Sequence, residues 1–241
     1  MIMRSTNPVF SSLERSQAYA SAETASYRGI MFKTGFLLMV AVLTGYLSLA
    51  YIPINQLLPL IGVSAIVGFI SVMIAVRSVR LAPVFSVLYA AAEGVLLGLI
   101  TIIVNNEVPG AAYAALLATG AIFTVMLFLY SSRTIRVTPT FRRIMYSVIL
   151  GILFFIVIQL VLGIFGINLQ MTSGVALIVS GVFIVVGALM LTLDFDRAEM
   201  IVSGGMDRSY EWMVAVGLMV TIVWIYVELL RFILILSSRR N

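Results

Sequence analysis

Leu193-Asp194-Phe195-Asp196-Arg197-Ala198-Glu199 closes a run of fifty residues, Ile144 to Leu193, that contains no Asp, Glu, Lys or Arg. Three carboxylates and an arginine then arrive within six positions. A helix needs about 20 residues to cross a bilayer, so the run must fold back once before it reaches the acidic cluster. The turn is read at Gly163-Ile164-Phe165-Gly166-Ile167-Asn168-Leu169-Gln170, giving spans near Ile144 to Phe165 and Ser173 to Leu193. The cluster is therefore either the plain edge of a membrane or a site built at that edge.

Composition places the whole chain in the same class. It is 62% hydrophobic and 10% charged, with a mean hydropathy of +1.14, against roughly 25% charged residues in soluble domains. The expected architecture is an all-α integral membrane protein of one domain: a polar tail over residues 1–29 and a transmembrane domain over 30–241. The tail lacks the apolar core of a signal peptide, so the first span is expected to stay attached and the tail to lie in the cytosol. There is no cysteine and no histidine. Disulfides, thiolate or imidazole metal sites and the usual general base are excluded, and any response to pH must come from carboxylates.

Outward from the cluster, the charge-free stretches place the other spans. Thr34 to Val76 holds two, broken by Ile52-Pro53-Ile54-Asn55-Gln56: one from about Ile30 to Tyr51 and one from Leu57 to Val76. A third runs from Pro83 to Val104, a fourth from Ala111 to Ser131, and a last from about Trp212 to Leu236, which makes seven. Asn105 to Gly110 reads as a turn. With the N-terminus inside, the even-numbered turns and the tail carry twelve of the fifteen Lys and Arg, and the three opposite loops carry none, as positive-inside loops require. Arg239 and Arg240 pull the C-terminus toward the cytosol, which leaves a re-entrant last segment as the alternative to a seventh span.

Charges within the spans cost at least about 2.5 to 3.5 kcal/mol on insertion scales and need a partner, a cavity or a proton. Glu93 sits beside Gly94 and Gly98, a small-residue face suited to close helix approach; it either packs or lines a polar path. Glu228 and Arg231 are three apart on one helix face and are expected to pair. If the sixth helix runs on to Val202, Asp194 and Asp196 point about 200° apart. Asp194 then shares its face with Ala198 and Ile201 and points inward, while Asp196, Arg197 and Glu199 are more exposed. No Gly-x-Ser-x-Gly or His-Glu-x-x-His is present, and the only lysine, Lys33, precedes the first helix core, which excludes a retinal Schiff base. Asp194-x-Asp196 as a metal site in a lipid enzyme is a third and weaker option. Carboxylate ligands in and beside a bilayer otherwise suit a hard cation such as calcium.

These residues together resemble the Bax inhibitor, or transmembrane Bax inhibitor motif, family. The features that carry the resemblance are seven spans with arginine loops, Leu193-Asp194-Phe195-Asp196 at the close of the sixth, and Val227-Glu228-Leu229-Leu230-Arg231-Phe232 in the last. Asn7-Pro8-Val9-Phe10 and Tyr210-Glu211-Trp212 are similar to its bacterial branch. The resemblance implies a bundle around a central last helix, in a bacterial inner membrane, that leaks calcium in a pH-sensitive way. It implies two aspartates sharing a proton, one closing the sixth span and one in the last, and an arginine ending the second span that latches the closed form. The first aspartate falls on Asp194 or Asp196, and counting back from the last span favours Asp196. The arginine falls on Arg77. The second aspartate is replaced by Thr221, with Glu228 on the same face about 10 Å further along.

The expected function is thus a pH-sensitive calcium or cation leak, with Asp194 or Asp196 bound to Arg77 when closed and a path lined by Glu93 and Glu228. Asp194 and Asp196 are the candidate metal-contacting residues. The alternative is a non-transporting regulator that binds partner membrane proteins or a membrane protease. The expected partners are the lipid bilayer, Ca2+ and H+, with no cofactor, no enzymatic activity and no nucleic acid, in a monomer.

Overall fold

The computed structural model describes residues 24–166 and 172–239, without the side chains of residues 54, 55, 57 and 58. Asn7 to Phe10, Arg4, Arg15, Arg240 and residues 167–170 of the expected turn lie outside the described residues. Among the described residues seven helices follow in order: α1 (Tyr27–Tyr51), α2 (Ile54–Ala75), α3 (Ala82–Glu107), α4 (Ala111–Ser131), α5 (Pro139–Ile164), α6 (Ser173–Ser203) and α7 (Tyr210–Ser238). Six of them, all but α2, are long and apolar enough to cross a membrane; the apolar stretch of α2, Pro59–Ala75, is shorter. The protein is a multi-pass helical membrane protein.

Local chemistry sets the helix ends. Ser26 caps α1 by accepting from the Gly29 amide at 3.0 Å, and Thr138 caps α5 by accepting from Phe141 at 3.1 Å, each satisfying an amide that has no partner within its helix. The expected turn at Asn105 to Gly110 is shorter, because α3 runs on to Glu107; it closes through the Asn105 side chain, which accepts from the Gly110 amide at 3.1 Å. Gly110 there adopts φ +87°, a left-handed conformation that a Cβ would penalise. α6 runs to Ser203, past the end of the charge-free run at Leu193, so Asp194, Asp196 and Glu199 all sit on helix.

Large side chains such as Phe32, Tyr113, Leu117 and Ile164 are exposed, as expected of surfaces that meet lipid. Lipid is as apolar as leucine, so helices associate through close packing and internal hydrogen bonds instead. α1 and α3 meet through glycines: a Cβ on Gly45 would lie 2.7 Å from the Gly94 carbonyl oxygen, and one on Gly98 would lie 2.9 Å from that of Gly45. α7 packs against α1, α2, α3, α4 and α6, and Ala215, Val216, Met219 and Ile225 along it are wholly buried. α5 packs chiefly on α6, through Met145 and Ile152 against Phe183 and Val186, with Trp224 of α7 in the same cluster.

The segment before α1 is tied to the α6–α7 turn. Thr24 bridges to Asp207, and the Ala25 amide donates to the Met206 carbonyl at 2.8 Å. Hydrogen bonds from the Ser209 hydroxyl and amide, at 2.5 and 2.8 Å, hold the Asp207 carboxyl below the usual carboxylate range.

Candidate functional site

Periodicity separates the two aspartates, and the structure uses both directions. Asp194 points to α7, where the buried Thr221 hydroxyl donates to its Oδ2 at 2.6 Å; Oδ1 lies against Gly217. Asp196, 200° further round α6, points to α5 and accepts from Arg142 at 2.6 Å. Ala198 and Ile201, on the Asp194 face, are buried, and Arg197 is exposed. Glu199 is half-buried rather than solvated. It accepts a hydrogen bond from the Tyr130 hydroxyl and lies 3.7 Å from Arg133, whose φ of 57° turns the chain out of α4.

Two expectations are corrected here. The residue opposite Thr221 is Asp194, not Asp196 as counting back from the last span favours, because only one of two positions 200° apart can face α7. The expected pairing of Arg77 with either aspartate is absent among the described residues. Arg77 lies exposed in the α2–α3 turn, α2 packs on α3, and Arg142 from the first turn of α5 takes the place opposite Asp196. Asp194 and Asp196 therefore do not converge as a joint metal site, and no group of three or more acidic side chains placed to hold a metal occurs among the described residues.

Glu228 lies on α7 two turns beyond Thr221. It accepts from the Ser180 hydroxyl of α6 at 2.9 Å and sits 3.8 Å from Arg231. Between these levels the Trp224 indole N–H is buried with no hydrogen-bond partner among the described residues, as is the Thr192 hydroxyl of α6. Thr221, Trp224, Glu228 and Arg231 recur at intervals of three and four along one face of α7, opposite Asp194 and Ser180 of antiparallel α6. The result is a line of polar groups between two apolar spans, buried at Thr221 and emerging at the exposed Arg231. Glu93 is not part of it. It approaches Gly68 of α2 and neighbours Tyr89 on its own helix, so the expected path lined by Glu93 and Glu228 together is not assembled.

Ser180 and Arg142 were not singled out by sequence reasoning as site residues. Ser180, Gly187 and Asp194 are spaced in sevens, which puts them on one helix face and is the signal that points to Ser180. Nothing local marks Arg142 among the four arginines of its loop. The Arg142–Asp196 pair is a polar tie between the first turn of α5 and α6. The guanidinium is over a third exposed, so solvent weakens the pair. Arg142→Gln is expected to cost up to about 1 kcal/mol and to broaden the α5–α6 distance distribution measured between spin labels on introduced cysteines, which are the sole thiols in a chain that has none of its own. An unchanged distribution would count against the tie.

A cleft of about 760 Å³ opens between α1, α4 and α6, lined in part by Tyr27, Tyr130, Arg133, Asp196, Glu199 and Leu218. Leu218 follows Gly217, against which Asp194 lies. The fold and this geometry together define a multi-pass helical membrane protein with a carboxylate held between its two last helices. A family model described as Bax inhibitor 1 like matches residues 7–238, and the chain belongs to that family. A search among curated proteins finds no match to it.

Proposed function

We propose that this protein passes cations, calcium foremost, across its membrane along the polar line between α6 and α7, under protonation control of its carboxylates. The observation that carries the reading is Asp194: it sits within an apolar span with a hydroxyl as its hydrogen-bond donor, and no lysine or arginine lies within ion-pair distance among the described residues. A carboxylate so placed is neutralised by a cation or by a proton, and the two compete. With no histidine in the chain, that competition is the source of pH sensitivity. The oxygens of Asp194, Thr221, Ser180 and Glu228 are the hard donors that calcium takes, and the cleft beside Asp196 and Glu199 is the entrance. In this reading all seven helices cross a bacterial inner membrane with the N-terminus cytosolic, and α7 is the central helix of the bundle, in keeping with its five packed neighbours.

Purified protein in liposomes loaded with a calcium dye tests this. The native chain is expected to give flux that varies with pH, and Asp194→Asn to remove the pH dependence. Unchanged pH-dependent flux after Asp194→Asn with Asp196→Asn overturns the reading. Flux no greater than that of empty vesicles points instead to a non-transporting regulator that binds partner membrane proteins.

A further inference from the structure

The start of α5 carries a second cleft, of about 480 Å³, lined by Pro139, Arg142, Arg143, Tyr146, Ser147 and Leu150. These positions fall at intervals of three and four, so they form one face of α5. It is not the face that packs on α6, which carries Met145 and Ile152. Arg143 is exposed and has no carboxylate within ion-pair distance among the described residues. Arg142 is shared with Asp196, and the Ser147 hydroxyl donates to the Arg143 carbonyl. Below the cleft the same face continues as Leu153, Phe154, Val157 and Val161, all exposed.

The distances suit one kind of molecule. From Leu150 to Val161 the track is about 16 Å long at 1.5 Å per residue, close to half of the roughly 30 Å hydrocarbon core of a bilayer. One end is cationic, Tyr146 lies where interfacial aromatic residues sit, and the rest is apolar for the depth of one leaflet. We propose that this face of α5 binds an anionic phospholipid, with Arg143 holding the headgroup phosphate and an acyl chain lying along Leu150, Phe154 and Val157. A zwitterionic lipid brings its own cation to the phosphate and gives Arg143 less to pair with. Soluble phosphate has nothing to place on the track. The proposal is independent of cation conduction.

The test is lipid retention by the purified full chain, read by native mass spectrometry with phosphatidylglycerol and phosphatidylcholine of identical acyl chains. The native chain is expected to retain phosphatidylglycerol preferentially. Arg143→Gln should reduce that preference about fivefold, the equivalent of about 1 kcal/mol for one arginine at an anionic surface. Arg80→Gln, an exposed arginine in the α2–α3 turn, should leave it intact, and Leu150→Asn should weaken retention of both lipids alike. Equal retention of the two lipids by the native chain, a preference unchanged in Arg143→Gln, or displacement of the lipid by inorganic phosphate each overturns the proposal.

Discussion

Replacing Lys33 by Met is expected to destabilise the protein by about 3 to 5 kcal/mol, the range for stranding one member of a buried ion pair. Lys33 Nζ lies 2.5 Å from Glu211 Oε2, and the Glu211 side chain is 1% exposed. The other carboxylate oxygen accepts from the Ser26 amide and hydroxyl at 2.8 and 3.1 Å. Lys33 also donates to the Arg208 carbonyl at 3.3 Å and stands 5.3 Å from the centre of the Trp212 ring. The start of α1 and the start of α7 are thus joined through one carboxylate. A Cβ on Gly29 would overlap that carboxylate, so the approach is as close as a glycine permits. Without the ammonium, Glu211 keeps the Ser26 donors and Arg208 at 4.0 Å, which compensate in part. Thermal unfolding in detergent measures the loss, and Lys33→Met with Glu211→Leu should recover most of it, since a well-packed apolar pair often replaces a buried ionic one without loss. A single variant within about 0.5 kcal/mol of the native chain, the scale of an ordinary surface substitution, would refute the assignment.

Gly94→Val should be nearly as damaging, at about 3 kcal/mol. A Cβ at Gly94 overlaps the Ala41 carbonyl oxygen and the Thr44 hydroxyl. The first of these is backbone and cannot swing away, so relief requires α1 and α3 to separate, and α1 also carries the Lys33 link to α7. Gly120→Val is the control, because nothing lies within 4 Å of the corresponding position. Equal unfolding temperatures for the two variants would show that the glycine contact does not hold α1 to α3.

Glycines at 94 and 98 were legible in the sequence as a small-residue face, but Gly45, which completes the contact, was not. Glu228 with Arg231 was legible for the same reason as the direction of Asp194: both follow from helical periodicity within one segment. The pairs that join different helices are of another kind. Arg142 with Asp196, Ser180 with Glu228 and Lys33 with Glu211 join residues 54, 48 and 178 positions apart. In the sequence Lys33 counts toward the positive-inside charge and Glu211 toward the Tyr210-Glu211-Trp212 resemblance, and nothing in either joins one to the other.

By itself the sequence determined that this is a helical membrane protein, where its apolar spans lie along the chain, and that any proton response rests on carboxylates. It did not bound α6, which runs on from Leu193 through the acidic cluster to Ser203. A bilayer demands about 20 apolar residues per crossing and excludes charge from them, so crossing and turning are written along the chain. Only the tertiary structure decided that Asp194 meets Thr221, that Asp196 meets Arg142 and not Arg77, and that Glu228 and not Glu93 continues the polar line. In lipid a helix is apolar all round and no hydrophobic stripe records which side faces a neighbour. The rotation and partner of each helix are set by glycine contacts and buried hydrogen bonds that exist only once the helices have met.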